Sequence, residues 1–587
     1  MTIRRYDDAV AGRAVHTLQD AGVQPGDPVA VAWGTDGAGA GLATGTTLLP
    51  GVPLDEVAQV VETLRPRLVW WSATAAAPLV RAGLQITASW DVAATHLLLH
   101  GGRTLDPSVV WAAAAGLDPD QRPRTGQLDL LAGAADGGDP ADPDEPVRAD
   151  GYLRPGWSES GPPTAAAAAR WARAALTVRD RHAEALAERP DPRRTPGSPP
   201  LALLTAWSES AAELLAVELG IAGLPLDRAT AESLVSERVG VRPADAAEAA
   251  STRRARDDAV RDLVTGADGV DLRNPAQVRE LLTRVGIDVP DTRSWRLEPF
   301  RGSHPLVAAL LDWRKAERIA TTYGFGWLDR DLGPDGRLRG TWTGCDGAAG
   351  RMTASAGLHN MPAELRPAVV AESGHVLARA DLGQVEPRVL AAVSHDPALA
   401  EATADDDLYA PVAARLGVER PVAKVAVLAA MYGQTSGAAG EALRGLERTY
   451  PVAMGYLRSA HEAGAAGRDV YTYGGRRVRM WPLPEPVDPG AAAGRGRFAR
   501  NAVVQGAAAE LFKMWAVSVR AALPPGAEIV LCLHDELLVQ AREEDGDRVA
   551  ALLTEVLATT ATRWSSGSGV RFVADVSVLR RWSDAKG

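Results

Sequence analysis

Only two of the 587 residues are cysteine, Cys345 and Cys532, and only four of the 63 basic residues are lysine. Two cysteines cannot form a disulfide framework and are too few for a zinc site, so a reducing compartment is expected. No apolar run approaches the length of a membrane span. The opening MTIRRYDDAVAG lacks the apolar core of a secretory leader. A cytoplasmic protein with no membrane partner is the expectation. Because Lys315, Lys424, Lys513 and Lys586 are so scarce, a lysine in a patterned position carries more information than an arginine would.

What the chain does contain is a globular composition, 46% hydrophobic and 23% charged. Its length suffices for about three or four domains, each with its own core. A net charge of −11 argues mildly against nucleic acid. The distribution argues the other way: Arg476, Arg477, Arg479, Arg495, Arg497 and Arg500 cluster against only Glu485 and Asp488. Local field, rather than net charge, attracts phosphates.

The first 190 residues alternate short Val/Leu/Trp-rich strands with Ala-rich helical stretches, an α/β pattern. An acidic Gly/Pro/Asp segment at 133–163 is expected to be a loop. The Pro-rich stretch 188–200 is the clearest linker. From 201 to about 335 the periodicity predicts helices. Beyond 340 strands and helices mix, and the residues with chemical potential concentrate there.

Three stretches stand out. A strand over 376–380 ends at Asp381, and the helix after it carries Glu386 and Arg388. A second helix has Pro421 at its start and Gly433 as its stop. Arg420, Lys424, Leu428 and Tyr432 recur along one face of it, offering two cations for phosphates and a ring for stacking. Third, two apolar runs, 529–533 and 537–539, flank His534-Asp535-Glu536, which predicts a hairpin with acids at its bend. Such a turn normally prefers Asn-Gly or Asp-Gly. Between these, Arg497, Asn501 and Gln505 recur at a helical spacing of four, suited to hydrogen bonding along a nucleic-acid groove. Taken singly, each has a plainer reading: a helix cap, an amphipathic helix, a solvated tip, a polar stripe.

Together they resemble the family A DNA polymerases, the bacterial DNA polymerase I type. Asp381-Leu382-Gly383-Gln384-Val385-Glu386-Pro387-Arg388 resembles that family's motif A, and Arg420, Lys424, Leu428 and Tyr432-Gly433 its motif B. His534-Asp535-Glu536 resembles motif C, Arg497 to Gly506 a further block, and Gly350 to Pro362 the segment before motif A. The resemblance covers 201–587 well and 1–190 poorly.

It implies a multidomain α/β and α+β fold: a right hand of palm, fingers and thumb behind an RNase H-like exonuclease-type domain. The implied boundaries are 1–190 for an inactive 3′–5′ exonuclease-like domain, 191–200 linker, 201–340 thumb, 341–400 first palm segment, 401–495 fingers and 496–587 second palm segment. The implied activity is template-directed addition of deoxynucleotides to a primer 3′-hydroxyl, in DNA repair or replication and without proofreading. Two Mg2+ ions, replaceable by Mn2+, would sit on Asp381 and Asp535, with Lys424 and Glu536 as further catalytic groups. Arg420, Lys424, Leu428, Tyr432, Glu386 and Gln384 would bind the nucleoside triphosphate. Arg351, Asn360, Arg497, Asn501, Gln505, His534, Arg388, Arg476 and Arg477 would contact primer-template DNA. A monomer associated with the nucleoid is expected.

Two departures qualify the resemblance. The family usually carries an aromatic ring where this chain has Leu428, and the Arg351–Asn360 spacing is slightly short. In the front domain no Asp-x-Glu occurs on the first strand; Asp91 keeps a plausible context, but Trp171 and Ala175 stand where a Tyr-x3-Asp is expected. A 5′ nuclease domain is not expected. The alternatives are a weakened polymerase fold that binds primer-template DNA without extending it, residual 3′–5′ exonuclease activity, or a single-subunit RNA polymerase.

Overall fold

The computed structural model describes residues 12–37, 39–124, 142–433 and 439–585. The opening residues 1–11, the start of the acidic segment (133–141) and Lys586 lie outside them. The chain divides into two compact units: residues 1–222, 341–353 and 374–578 form one, and 223–340, 354–373 and 579–587 the other.

In the first unit, the N-terminal alternation of strands and helices builds a five-stranded sheet. Strand Pro28–Trp33 pairs antiparallel with Ala40–Ala43, which pairs antiparallel with Leu48–Val52. On its other side it runs parallel to Arg67–Trp70, which runs parallel to Ser89–Asp91. Successive side chains of a strand face opposite ways. Val29 and Val31 therefore join one core with Leu18, Val57 and Val61, while Ala30 and Ala32 join another with Trp171, Ala172 and Ala175 of helix Ala165–Ala187. Gly41 is required at the contact with that helix: a Cβ there would come within 2.0 Å of the Ala169 backbone nitrogen.

A second sheet of the same unit has the strand order Glu528–Leu533, Glu536–Arg542, His375–Leu382, Ala574–Leu579. In its first three strands Leu377, Leu531, Leu537 and Val539 are fully buried, whereas Val578 of the last strand is exposed. The 34-residue helix Pro489–Ala522 extends over about 50 Å at 1.5 Å per residue and packs along helix Leu201–Ala222. A buried ion-pair cluster lies at their junction. Glu209 accepts from Lys513 at 2.5 Å and from Arg476 at 2.6 Å, all three being buried, and Arg476 also reaches the Cys345 sulfur at 3.1 Å. Breaking a buried pair from one side costs about 3–5 kcal/mol, because a desolvated charge is left uncompensated. This corrects one expectation: Arg476, 2% exposed, holds the interior together and cannot reach a DNA backbone.

The expected linker is also packed. Arg193 is buried, paired with Asp191 at 2.5 Å, and donates to the carbonyls of Gly197, Pro199 and Arg563. Proline prevented a helix there, but one arginine with five donors gives the segment tertiary anchors. Nor does the chain divide at 201. Helix Leu201–Ala222 belongs with the first unit, since Leu214 and Leu204 complete cores of that unit, and the division falls at Gly223, whose φ of 79° stops the helix.

The second unit is mainly helical. Helices Arg228–Val239, Ala246–Arg261, Pro275–Arg284 and Pro305–Thr322 bury Val260, Leu281, Leu282, Leu306, Leu310 and Trp313 in a core of their own. Around it Arg273 bridges Asp257 at 2.8 Å and Glu317 at 2.7 Å. No described helix is long and apolar enough to cross a membrane.

Candidate active site

The bend between strands Glu528–Leu533 and Glu536–Arg542 contains only His534 and Asp535, since Leu533 and Glu536 are already paired. Two-residue hairpins of this kind demand positive φ, and His534 adopts +32°. The Leu382 N–H donates to the Asp535 carbonyl at 2.8 Å, tying the bend to the end of the neighbouring strand, where Asp381 stands. That strand pairs antiparallel with Glu536–Arg542, and Asp381 lies directly opposite Glu536.

The expectation of two acids at the bend is half corrected. Glu536 is the first residue of its strand, buried, and bound by Arg379 at 2.5 Å. Burial and that ion pair give it a positioning post rather than a place beside the substrate. The same guanidinium donates to Asp381 at 2.9 Å and reaches Asp575 at 3.4 Å. Arg379 was not singled out from the sequence, although a signal existed: it lies two residues before Asp381 in an otherwise apolar strand, hence on the same face.

Asp381, Asp535, Glu536 and Glu386 crowd negative charge together. Burial, with the neighbouring Asp381, Glu536 and Glu386 charges adding, pushes the Asp535 carboxyl up to about 6. Carboxylates in that condition suit a hard divalent cation, which neutralises charge and prefers oxygen donors. Asp381 and Asp535 fit such an ion in chemistry, with Arg379 already offsetting part of the charge.

Beside Asp535 lies a cleft of about 260 Å³ lined by Arg351, Gln384, Glu386, Tyr409, Leu428, Tyr432 and His534. Three motifs distant in sequence thus meet in one place. Glu386 is held from two sides, accepting from Arg351 at 3.0 Å and from the Tyr432 hydroxyl at 2.9 Å. Gln384, at φ +53°, donates to Asp407 at 3.0 Å and accepts from the Leu408 N–H at 2.8 Å.

Helix Arg420–Tyr432 has the predicted limits, with Pro421 in its first turn and Gly433 closing it at φ 71°. Ala423, Ala426, Val427 and Met431 are buried, leaving Arg420, Lys424 and Tyr432 exposed and Leu428 half-buried. Arg420 is clasped by Asp407, at 2.5 Å and 3.1 Å. Asp407, in a loop, and Tyr409, at the start of helix Tyr409–Leu416, went unnoticed in the sequence, because no periodicity links them to either motif. Arg497, exposed, packs its stem against Gly433, and Gln505 hydrogen-bonds Tyr432. Asn501, between them on one face of the long helix, is half-buried.

Other expectations fail or fall elsewhere. Arg388 is fully buried, its guanidinium donating to the carbonyls of Gly383, Thr403, Asp405, Asp406 and Arg571. With every donor spent inside the protein it cannot bind DNA, and the correction follows from that saturation. Arg477 pairs with Asp469 at 2.7 Å, outside the cleft. Asn360 belongs to the second unit, where its carbonyl accepts from Tyr323 and Arg318, both at 2.6 Å. In the N-terminal sheet Asp91 caps helix Val92–His100, accepting from the Ala94 N–H at 2.8 Å and the Ala73 N–H at 2.6 Å, while Trp171 and Ala175 are core.

Comparison with known proteins bears on this arrangement. The profile of the family described as DNA polymerase family A matches residues 249–584. The chain is 30% identical over 325 residues to the thermostable DNA polymerase I of Thermus filiformis, covering 50% of this chain and 38% of that one. It is 32% identical over 295 residues to the DNA polymerase I of Chloroflexus aurantiacus, covering 45% of this chain and 31% of that one. The chain therefore spans less than two fifths of these relatives. The POL domain of Pol1 from M. smegmatis, solved in complex with DNA primer-template and dNTP, superposes with a TM-score of 0.66 at 20% identity over 98% of both chains, and so shares the fold.

Proposed function

Because the chain belongs to DNA polymerase family A, we propose that it is a DNA-directed DNA polymerase, extending a primer 3′-hydroxyl with deoxynucleotides. The observation that carries this reading is the single cleft in which Arg351, Gln384, Glu386, Leu428, Tyr432, His534 and Asp535 converge. In this reading the N-terminal sheet domain (1–190) is exonuclease-like, the second unit contains the thumb, the two central sheet segments are palm and the region around helix Arg420–Tyr432 is fingers.

Phosphoryl transfer needs positioning and neutralisation of developing charge more than covalent help from the protein. Two Mg2+ ions on Asp381 and Asp535 would supply that neutralisation and favour the ionised 3′-hydroxyl. The chain's own residues do the rest. Arg420 and Lys424, one turn apart on an exposed face, bind the triphosphate, with Arg420 exchanging Asp407 for phosphate. Lys424 hands a proton to the departing pyrophosphate, a task for which an arginine's pKa is too high. Tyr432 and Leu428 border the nascent base pair. Glu386, immobilised by Arg351 and Tyr432, excludes a 2′-hydroxyl and so selects deoxynucleotides. Arg497, Asn501 and Gln505 follow the duplex, and His534 faces the primer end. Proofreading is absent in this reading, because the Asp91 carboxylate is committed to a helix cap and its expected partners are core residues.

A second reading, a weakened polymerase that mainly binds primer-template DNA, is favoured by the Arg379–Asp381 contact, which sets a guanidinium against a metal-binding carboxylate. Primer extension with Mg2+ separates the two. Extension by the wild type, abolished in Asp535→Ala with duplex affinity intact, supports the first. Duplex binding without extension by the wild type leaves only the second.

A further inference from the structure

Helix Val92–His100 of the N-terminal sheet domain carries His96 and His100 four residues apart, and helix Ala165–Ala187 brings His182 to meet them. One ring nitrogen from each of the three lies within 4.8 Å of the other two. His96 and His182 are 5% and 2% exposed, and His100 is half-buried. The rings of His96 and His100 stack at 4.5 Å, and those of His96 and His182 are 6.2 Å apart.

The unusual feature is what these buried rings lack. Among the described residues, both nitrogens of His182 and Nδ1 of His96 have no hydrogen-bond partner. Buried polar atoms are nearly always paired, and a desolvated orphan is a penalty that something must offset. A histidine kept for packing alone would be expected to bond at least one nitrogen to a carbonyl or hydroxyl. Here the three rings converge instead, and one nitrogen of each comes near the other two.

We propose that His96, His100 and His182 form a binding site for a transition-metal ion, best suited to Zn2+. Two histidines four residues apart on a helix present their rings to one ion, and a third from a neighbouring helix completes a facial set of three. Zinc–nitrogen bonds of about 2.0–2.1 Å require ligand atoms roughly 3.3 Å apart, so a contraction of about 1.5 Å at most, within the reach of side-chain torsions, closes the site. Burial holds all three imidazoles below their ordinary range, with arginine charge adding at His96 and His100, which favours the neutral form that donates to a metal. Arg189, Arg477 and Arg479 lie close enough to act on His100. Their charge opposes any cation held by electrostatics alone, so it discriminates against Mg2+ and Ca2+ in favour of an ion bound through imidazole nitrogen. The same charge favours an anionic fourth ligand, hydroxide or chloride. The bound ion would staple the two helices together on the domain that has lost its other metal chemistry.

The test is zinc uptake by the full chain, stripped with chelator and refilled, read by elemental analysis and by isothermal titration. Asp381→Asn with Asp535→Asn serves as the background, so that palm binding does not contribute. About one zinc per chain is expected, with a raised unfolding midpoint, and with the visible absorption of tetrahedral Co2+ when cobalt is substituted. His100→Gln, at the half-buried edge where folding is least disturbed, should weaken binding by more than the roughly 10- to 100-fold that loss of a supporting partner costs. His182→Leu, which fills its site with an apolar side chain, should abolish uptake and the midpoint shift. No uptake by the background protein, or uptake unchanged in His100→Gln, would overturn the assignment.

Discussion

Arg379 grips Asp381 at 2.9 Å and Glu536 at 2.5 Å with one guanidinium. It joins the carboxylate expected to hold a metal ion to one buried beneath it. Truncating Arg379 to alanine takes the cation away from the buried Glu536 carboxylate, which costs about 3–5 kcal/mol. Arg379→Met with Glu536→Gln removes both charges and should restore most of that stability in urea denaturation. The double variant should also reach half-maximal extension at severalfold lower Mg2+, because a competing positive charge is gone. An unchanged Mg2+ requirement would mean that the guanidinium does not oppose the ion.

The Arg420–Asp407 pair is exposed, so breaking it should alter stability by no more than about 1 kcal/mol. Its consequence lies in nucleotide binding. Loss of a hydrogen bond to a charged group costs roughly 1.5–3 kcal/mol. Arg420→Ala should therefore raise the KM for deoxynucleotides by about 10- to 100-fold and leave primer-template affinity unchanged. Steady-state kinetics beside duplex titration distinguish this from a general loss of DNA binding.

Leu428 is half-buried on the wall of the cleft, so a larger ring there is not forced into a packed interior. Leu428→Phe should change the urea midpoint little. Base–aromatic stacking is worth roughly 1–3 kcal/mol, and the KM for deoxynucleotides should fall by at least about fivefold. A KM that stays level would show that Leu428 does not border the incoming base.

Glu510, fully buried, accepts from the Thr472 hydroxyl and, at 2.8 Å, from the Gly474 N–H. Burial, with Glu209 adding, pushes its carboxyl up to about 7 despite these bonds and the nearby Arg476. Between its ordinary value near 4.5 and about 7 the folded protein holds a proton that the unfolded chain has released. Stability present below pH 4.5 is therefore lost as pH rises towards 7. Glu510→Gln keeps the acceptor without the charge, and should flatten this fall, gaining on the order of 2 kcal/mol over the wild type at pH 8. Urea midpoints between pH 5 and 8 measure it; an identical slope in both proteins would remove Glu510 as the cause.

Local pattern determined a good deal by itself. Pro421 and Gly433 bounded their helix because one fixes φ and the other accepts a positive one. The spacing of four set Arg420, Lys424, Leu428 and Tyr432 along one face. Those are short-range properties, repeated at helical or strand period, and a chain shows them before it folds.

What only the tertiary structure decided was where each charge is spent. Arg388 and Arg476 look no different in sequence from Arg497, yet the first two are saturated by carbonyls and a buried glutamate while the third is exposed. Glu536 and Asp535 are neighbours, yet one begins a strand and is buried under Arg379 while the other stays in the bend beside the cleft. The proline-rich stretch was pinned by Arg193, and the three histidines were gathered from two helices, by contacts between residues far apart in the chain. A polar side chain's partner is a matter of distance in space and of the water excluded around it, and neither quantity is written in the local sequence.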